Sequence, residues 1–418
     1  MINDLKTTPI FRFKGFHDAW EQRKLGDVLS FVKDGTHGTH PDASEGPLLL
    51  SAKNIKNGCI NWDESDRRIS QREYEKIHST FNLMSGDVLM TIVGSIGEAA
   101  ILKEPENITF QRSVAFLRPN ENITSEFLYS EIQTSRFQKD LDSRKSTSAQ
   151  PGIYLGDLSE MPFSYPSDIH EQKQIGAFIL KMEDAITLHQ RKLHNLQDIK
   201  KSMLQNLFPR EGEHFPKLRF EGFTDPWEQR KLGEICERVT RKNKNGESDL
   251  PLTIASQYGL IDQRDFFNKV VAAKDMSNYY LLKKGEFAYN KSYSNGFDYG
   301  SIKRLNAYEQ GCLSTLYICF GITSDDIESD YLECYFDTLK WYGDVSQICA
   351  EGARNHGLLN VDTKAFFDEV TIEIPSSKEE QKKISAYLNN LDNLITLHQR
   401  KLDQLNNMKK ALLQKMFI

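Results

Sequence analysis

The sequence predicts an α+β fold in which two similar mixed α/β domains are joined by two long helices that form an antiparallel coiled coil. Three observations lead to this prediction. The eight residues ITLHQRKL occur twice, from Ile186 and from Ile395, an offset of 395 − 186 = 209 in a chain of 418 residues. A heptad repeat of apolar residues surrounds each copy. The interiors of the two halves carry short strand-like segments in the same order, so we expect an internal pseudo-two-fold duplication.

The repeat includes the opening and the closing segment of each half. The opening FRFKGFHDAWEQRKLGDVLS begins at Phe11 and matches LRFEGFTDPWEQRKLGEICE from Leu218, an offset of 218 − 11 = 207. The interiors, roughly 31–165 and 238–374, differ strongly. Because the period is too long for a solenoid, it indicates a two-fold duplication with variable centres. We expect five segments: a first domain at 1–167, a first helix at 168–209, a linker at 210–217, a second domain at 218–376 and a second helix at 377–418.

The closing segments are predicted to be helices of about 40 residues, because their apolar positions alternate in steps of four and three. A capping box is predicted at each start, from Asp168 with Glu171 and from Ser377 with Glu380, each just after a proline. A histidine and a lysine occupy the remaining seam positions. The predicted seam residues are Ile175, Ile179, Met182, Ile186, His189, Leu193 and Leu196 in the first helix and Ile384, Leu388, Leu391, Ile395, His398, Leu402 and Leu405 in the second.

A single helix cannot bury such a stripe alone. Each helix could pack on its own domain, or the two could pack on each other. The second arrangement is favoured because the stripes match in length and in polar positions, and a two-fold axis would then make the helices antiparallel. His189 and His398 could form a pH switch, but a polar seam residue that fixes the register is the preferred interpretation.

The variable interiors predict matching strands and helices. GPLLLSAKNI, GDVLMTIVGSIG and SVAFLRP in the first half correspond in order to LPLTIASQYG, GEFAYNKSYSNG and CLSTLYICFG in the second. SEFLYSEIQTSRFQKDL is predicted to be a helix, and SDYLECYFDTLKWYGDV is its counterpart. The two interiors are therefore expected to share a fold while their surface residues differ.

Composition excludes several classes of protein. No apolar run approaches the roughly 20 residues that span a bilayer, and the N-terminus lacks the pattern of a secretory signal. The six cysteines form no CxxC pair or metal-ligand spacing, so we expect reduced thiols and a cytoplasmic location. A net charge of −6 argues against a protein that coats nucleic acid through phosphate attraction alone.

Sequence motifs for catalysis are also missing. The chain contains neither a G-x-x-x-x-G-K-[ST] phosphate loop nor an N-P-P-[YF] methyltransferase motif. The string Pro166, Asp168, Glu171 and Lys173 resembles a metal-nuclease motif, but its acidic residues are predicted to serve a helix start, and the second copy has Ser377 in place of the aspartate. We therefore predict a chain with no catalytic residues and no metal site.

Two variable domains that alternate with two near-identical helices resemble the specificity (S) subunit of Type I restriction–modification enzymes. The resemblance covers essentially the whole chain and includes DGTHGTH from Asp34, GDVLMTIVGSIG from Gly86 and QPGIYLGDL from Gln150. It implies a non-catalytic DNA-binding subunit in which each target recognition domain recognises one half of a bipartite, asymmetric site. It also implies that the coiled coil sets the spacer and docks two modification (methyltransferase) subunits, and that two restriction (motor-nuclease) subunits complete the enzyme. No cofactor is expected on this chain, since S-adenosylmethionine, ATP and Mg²⁺ are expected on the partner subunits.

Polar residues on glycine-containing loops are the candidates for contacts to double-stranded DNA, because such side chains bond to base edges and phosphates. A plain polar turn or a solvated hairpin is the alternative for each group, and metal binding by His37 and His40 is disfavoured for lack of further ligands. In the first domain the candidates are Lys33, Asp34, Thr36, His37, Thr39, His40, Lys53, Asn54, Lys56, Arg112 and Gln150. In the second they are Arg241, Lys242, Lys244, Asn290, Lys291, Ser292, Tyr293, Asn295, Arg354, Asn355 and His356. A recognition subunit of another coiled-coil assembly, with a target other than DNA, remains the alternative function.

Overall fold

The computed structural model describes residues 8–146, 151–255, 259–267, 272–292, 299–355 and 358–418. It confirms an α+β fold made of two similar halves, each of which ends in one long helix. Within the described part of the chain, no helix is both long enough and apolar enough to cross a membrane.

The first half contains ten strands and five α-helices, together with short 3₁₀ helices at Leu25–Val28 and Ala52–Asn54. The strands are β1 (Glu21–Lys24), β2 (Leu29–Asp34), β3 (Leu48–Leu50), β4 (Ile55–Lys56), β5 (Cys59–Ile60), β6 (Val88–Thr91), β7 (Ala99–Ile101), β8 (Ile108–Phe110), β9 (Val114–Pro119) and β10 (Pro162–Tyr165). The helices are α1 (Gln71–Ile77), α2 (Ser125–Ile132), α3 (Ser135–Ser143), α4 (Leu155–Ser159) and α5 (Ile169–Asn206).

The second half follows the same plan in its described residues. Its strands are β11 (Glu228–Lys231), β12 (Cys236–Arg238), β13 (Leu252–Ala255), β14 (Gly259–Asp262), β15 (Tyr280–Lys283), β16 (Phe287–Asn290), β17 (Ser301–Arg304), β18 (Gln310–Leu313), β19 (Ile318–Ile322), β20 (Cys349–Asn355), β21 (Leu358–Val361) and β22 (Thr371–Ile374). Its helices are α6 (Leu232–Ile235), α7 (Gln263–Phe267), α8 (Ser329–Tyr335), α9 (Leu339–Ile348), α10 (Thr363–Asp368) and α11 (Lys378–Met416).

The two central sheets have the same topology. In the first half the strand order is β2-β9-β6-β7, and in the second it is β12-β19-β16-β17, with all pairings antiparallel. Each half also has a separate two-stranded pair, which joins its opening segment to the strand before its long helix. This pair is β1 with β10 in the first half and β11 with β22 in the second. The predicted correspondences of β6 with β16 and of β9 with β19 are therefore confirmed, and β6, with its buried VLMT, lies inside the sheet. The third predicted pair, the strands in GPLLLSAKNI and LPLTIASQYG, differs in its pairing, because β3 pairs parallel with β8 whereas β13 pairs antiparallel with β14.

The helix predicted over SEFLYSEIQTSRFQKDL is wrong in one respect, because the structure divides it into α2 and α3. The Thr134 hydroxyl accepts a hydrogen bond from the Phe137 amide and so begins a new helix. The second half has the same break, where Thr338 caps α9 through the Trp341 amide. Threonine at an N-cap satisfies a free amide group, and this outweighs the continuous apolar pattern.

The chain divides into two compact units. One comprises Met1–Arg191 with His398–Ile418, and the other comprises Lys192–Leu397. Each unit therefore holds one α/β domain, the first part of the helix that follows it and the last part of the other long helix. Because the ends of the helices are anchored in these units, aromatic residues from them complete the domain cores. Phe417 packs against Trp20 and Phe127 in the first unit, and Phe208 packs against Trp227 and Tyr331 in the second.

Within each unit the two helix segments run antiparallel. In the first unit the Glu183 carboxylate lies 2.5 Å from the Lys409 ammonium. Further along, the Nδ1 atoms of His189 and His398 are 2.7 Å apart. From the first contact to the second, the residue number rises in α5 and falls in α11, so the two helix segments are antiparallel. The second unit contains the equivalent ion pair between Lys200 and Asp392, at 2.8 Å.

The predicted seam residues differ in what they pack against and in how deeply they are buried. Ile175 and Ile179 are buried in the core of the first unit, and Ile384 and Leu388 in that of the second. The first turns of each helix therefore pack on their own domain. Met182, Ile186, Leu391 and Leu402 are also buried, whereas four seam residues are half-buried: Leu193, Leu196, Ile395 and Leu405.

The capping boxes predicted at the two helix starts are wrong. Asp168 accepts a hydrogen bond from the His170 amide, but the buried Glu171 carboxylate binds the Arg12 guanidinium instead of the helix start. In the second unit Glu380 binds Arg219 in the same way. An arginine with two parallel donors is a stronger partner for a carboxylate than one backbone amide, so these glutamates join the repeated opening segment to the repeated helix.

Candidate nucleic-acid interface

The DGTHGTH segment of the first unit is a loop whose base belongs to the sheet. The amide of Gly35 donates to the Val114 carbonyl at 3.0 Å, and that of Thr36 donates to the Phe110 carbonyl at 2.9 Å. The amide of Arg112 donates in turn to the Thr36 carbonyl, at 3.0 Å. A Cβ atom on Gly35 would lie 2.1 Å from the Phe110 carbonyl oxygen. Only glycine fits this close approach, which fixes where the loop leaves the sheet.

Two of the candidate residues use their side chains inside the domain. The His40 ring is buried, with Nε2 2.7 Å from the Thr36 hydroxyl and Nδ1 3.0 Å from a Glu73 carboxylate oxygen. The Asn54 side chain is also buried and accepts from the Ser51 amide while donating to Asp66. In this conformation both side chains hold loops in place, and direct DNA contact by either stays a prediction.

The three motifs of the first domain come together at one edge of its sheet. Ile92, which follows β6, donates its amide to the Ser113 carbonyl and accepts at its own carbonyl from the Ile153 amide, both at 2.9 Å. Val93 forms a bridge with Gly152. Arg112, next to Ser113, is already bonded to Thr36. The loop of DGTHGTH, the end of GDVLMTIVGSIG and the segment QPGIYLGDL are thus adjacent.

The exposed side chains at this edge are suited to DNA contacts. His37 lies 2.5 Å from Asp34 and is mostly exposed, Thr39 is exposed, and Arg112 is exposed with no ion pair among the described residues. Tyr154 is 69% exposed next to them, and sequence reasoning missed it. The signal in the sequence is a single aromatic residue in QPGIYLGDL, one of the motifs on which the family resemblance rests. Gln150 lies outside the described residues.

The lysine candidates of the first domain differ in their exposure and in their contacts within the domain. Lys33 lies over the Phe81 ring at 5.1 Å and is half-buried. Lys53 forms an ion pair with Asp66 at 2.7 Å. Hydrogen bonds from Lys53, the larger effect, and from Asn54 lower the pKa of Asp66 to about 2. Lys56 is exposed at the β4–β5 turn. The Lys53 charge is therefore partly neutralised by a carboxylate that stays ionised above about pH 3.

The second unit brings its own candidates together in an equivalent position. Lys291 follows β16 as Ile92 follows β6, and its carbonyl accepts from the Leu359 amide at 2.9 Å. Lys291 therefore lies next to β21, which pairs with β20. The Asn290 side chain accepts from the Ser292 amide at 3.0 Å. Several candidates lie outside the described residues: Tyr293, Asn295, His356 and the side chains of Arg354 and Asn355.

The RKNKNG segment is partly committed to internal contacts. Arg241 makes two hydrogen bonds to Glu286, at 2.9 and 3.2 Å, and this bonding raises the pKa of the arginine. Lys242 lies 3.7 Å from the centre of the Tyr280 ring and donates to the Asn278 carbonyl. Lys244 is exposed. Of the three, Lys244 is thus the most accessible to a phosphate.

The acidic residues at the start of α5 can be compared with the requirements of a metal site. Among the described residues of the chain, no group of three or more histidine, cysteine, aspartate or glutamate side chains could hold a metal ion. Glu171, which the nuclease interpretation required as a metal ligand, binds Arg12 with both oxygens. Most of the candidate residues that are described lie on loops or at the ends of sheet strands.

Comparison with known proteins agrees with this geometry. A putative type I restriction enzyme MjaX specificity subunit of Methanocaldococcus jannaschii is 21% identical over 95% of this chain and 92% of its own length. The MjaVIII specificity subunit of the same organism is 23% identical over 50% of this chain and 51% of its length. A crystal structure of a Type I restriction–modification S subunit from M. genitalium has a TM-score of 0.65 at 15% identity, covering 98% of this chain and 99% of that one, and so shares the fold.

The family model for the Type I restriction modification DNA specificity domain matches twice, over residues 17–198 and 224–407. These two matches cover most of the chain and coincide with the two structural halves. The chain therefore belongs to the specificity-subunit family of type I restriction–modification systems and carries two copies of its specificity domain.

Proposed function

We propose that the chain is the non-catalytic DNA-recognition component of a type I restriction–modification complex, and that each domain recognises one half of a bipartite, asymmetric site. The observation that carries this proposal is that one framework occurs twice with different loop edges. The two sheets share their strand order, but where one unit has DGTHGTH and QPGIYLGDL the other has RKNKNG and GARNHG. Two copies of one sheet framework that carry different loop residues are suited to recognising two different DNA sequences.

The repeated helices are proposed to dock two methyltransferase subunits. Each copy of ITLHQRKL exposes its first leucine, Leu188 at 52% and Leu397 at 61%. Ile199 and Met408, also 209 residues apart, are exposed as well. Packing within the chain does not require apolar residues at these exposed positions, so their repetition favours two equivalent surfaces for two copies of one partner.

The remaining parts of the complex follow from the family and are proposals for this chain. S-adenosylmethionine is expected on the methyltransferase subunits, and ATP and Mg²⁺ on two motor-nuclease subunits. We expect the complex to be cytoplasmic, where its DNA substrate lies.

The experiment is reconstitution. The purified chain, a methyltransferase subunit encoded beside it, and both together are incubated with S-adenosylmethionine and a plasmid library, and methylated positions are mapped by sequencing. Methylation at one bipartite motif is expected only with both components. Methyl transfer by the chain alone, or methylation by the partner without it at the same motif, would contradict the proposal. If no DNA modification depends on the chain, a target other than DNA becomes the better explanation.

The coiled coil is proposed to set the distance between the two half-sites. Inserting one heptad after Leu193 and one after Leu402 preserves the apolar repeat in both helices. Each helix then lengthens by about 10 Å, which is roughly three base pairs of DNA. The unspecified spacer should lengthen by about that amount while both half-sites keep their sequence. Equal methylation of the original spacing would show that the helices do not set it.

A further inference from the structure

We propose that His40 is a positioning residue for recognition of one half-site, because its buried ring fixes the exposed part of the DGTHGTH loop. This inference rests on the proposed function and goes further by assigning different roles to the two histidines of the loop. His37 is exposed, whereas His40 is 9% exposed and hydrogen-bonded at both ring nitrogens.

The His40 ring connects the beginning of the loop to its end and to a helix. Nε2 lies 2.7 Å from the Thr36 hydroxyl, four residues earlier, and Nδ1 lies 3.0 Å from Glu73 in α1. An ionised carboxylate only accepts hydrogen bonds, so Nδ1 carries a proton. In the neutral ring Nε2 is then the acceptor, and the Thr36 hydroxyl donates to it. The hydrogen bond from His40 also lowers the pKa of Glu73, which keeps this carboxylate ionised.

The backbone on either side of the ring is held independently. Arg67 donates to the His40 carbonyl at 2.7 Å and to Asp42 at 2.6 Å. The Thr36 backbone is bonded to the sheet on both sides, through the Phe110 carbonyl and the Arg112 amide. The loop between them passes over the ring, since a Cβ on Gly38 would lie 3.0 Å from His40 Nε2. His37 and Thr39 therefore project from a loop whose two ends and middle are all fixed.

A loop held in this way loses little conformational freedom when it binds. Ordering a free loop at an interface costs free energy that lowers affinity, and a rigid supporting set of hydrogen bonds removes most of that cost. The His40 ring thus contributes to recognition through Thr36, His37 and Thr39. No histidine pair of this kind is present in RKNKNG of the second domain, so loss of His40 should affect one half-site alone.

The test uses the chain assembled with its methyltransferase partner and a plasmid library with every base of both half-sites varied. His40→Ala removes both links. His40→Gln places an amide near the Nε2 position and keeps the link to Thr36, whereas His40→Asn places one near Nδ1 and keeps the link to Glu73. Glu73→Ala removes the helix link, and Glu73→Gln retains an acceptor. His17→Ala, an exposed histidine elsewhere in the first unit, is the matched control.

We expect His40→Ala to lower the methylation rate about tenfold, as the loss of two intramolecular hydrogen bonds implies, and to relax base preference in one half-site only. His40→Asn, His40→Gln and Glu73→Ala should each lower it about threefold, and Glu73→Gln and His17→Ala should match the wild type. Hydrogen exchange in the peptide that covers residues 35–42 should rise most in His40→Ala, less in His40→Asn, His40→Gln and Glu73→Ala, and not in the other two variants. This measurement does not depend on DNA.

Three outcomes would overturn the role of His40: equal relaxation of both half-sites, unchanged specificity in a folded His40→Ala complex, or Asn and Gln variants as damaged as Ala. If His40→Ala does not fold, the comparison of Glu73→Ala with Glu73→Gln decides the question in its place. Failure of the proposed function has a different signature, since the wild-type complex would then show no bipartite motif at all.

Discussion

The Arg12 guanidinium binds both carboxylate oxygens of Glu171, at 2.6 and 2.7 Å, across 159 residues of sequence. The second unit repeats this pair between Arg219 and Glu380, at 2.7 and 2.9 Å. Both glutamates are almost fully buried. Next to them, Gln172 accepts from the Thr124 amide at the start of α2, and Gln381 accepts from the Glu328 amide at the start of α8. The shared opening and closing segments therefore bind each other in both units.

Removing one partner of this pair should destabilise one unit at a time. Arg12→Ala leaves the Glu171 carboxylate buried without its cation, and the expected loss is about 3–5 kcal/mol in the free energy of unfolding of the first unit. Urea unfolding followed by hydrogen exchange in peptides of each unit measures it. Arg219→Ala is the matched variant and should destabilise the second unit by a similar amount. A loss spread evenly over both units in either variant would contradict this account.

The Lys409–Glu183 pair should fix the register of the helix segments in the first unit. The Lys409 ammonium binds one oxygen of Glu183, while the Tyr129 hydroxyl donates to the other at 2.6 Å. Lys409→Glu places two carboxylates together and should cost about 2–3 kcal/mol. Adding Glu183→Lys restores opposite charges and should recover part of this loss, since Tyr129 loses its acceptor. Thermal unfolding of the wild type, both single variants and the double variant tests this, and an additive double variant would exclude direct coupling.

Lys200, the equivalent of Lys409 in the second unit, has a raised pKa. Burial lowers the pKa of Lys200, but Asp337 and Asp392 raise it more, and the net pKa lies above its usual value. Lys200 is therefore charged throughout the physiological range. Lys200 is thus a fixed cation between two aspartates, whereas Lys409 in the first unit is paired with Glu183 alone among the described residues.

Glu131 should make the first unit less stable as the pH rises. Its side chain is fully buried and one oxygen has no hydrogen-bond partner among the described residues, although Arg136 binds the other. Burial raises its pKa to about 7, above the value in the unfolded chain. The folded form is then favoured at low pH, and this contribution is lost between about pH 4.5 and 7, by about 3 kcal/mol in total.

Glu131→Gln removes the titrating group, so the unfolding free energy of the first unit should vary less with pH across this interval. Glu64→Gln replaces an exposed carboxylate and should leave the pH dependence unchanged. Urea unfolding at half-unit steps from pH 4 to 8 compares the three proteins. If the Glu131→Gln profile has the same slope as the wild type, Glu131 is ionised in the folded state and the assignment is wrong.

Much of the fold could be predicted because it depends on periodic and repeated features. The heptad positions from Ile175 to Leu196 identified the first helix, and the matching strand order followed from the duplication. The capping boxes were wrong because Glu171 has a partner, Arg12, that lies far away in sequence. The single helix was wrong because the pattern alone does not show that Thr134 begins a new turn. In each case a specific hydrogen bond decided between two structures that the apolar pattern permits equally.

The candidate site was less predictable, since burial decides which polar residues are available. His37 and His40 occupy equivalent positions in the two GTH triplets of the sequence, yet one is exposed and the other is enclosed by Thr36 and Glu73. Glu73 is 33 residues from His40, and nothing in the local sequence links them. Tyr154 was missed for the opposite reason, because an isolated tyrosine is usually part of a core.

The most direct test of the central claim is the exchange of residues 31–165 for the equivalent segment of another family member with a known, different recognition site. The chimeric chain is assembled with its methyltransferase partner, and methylated positions are mapped across a genome. Under the proposal that each domain recognises its own half-site, one half of the bipartite motif should change to that of the donor while the other half and the spacer remain. A motif altered in both halves, or in neither, would contradict it.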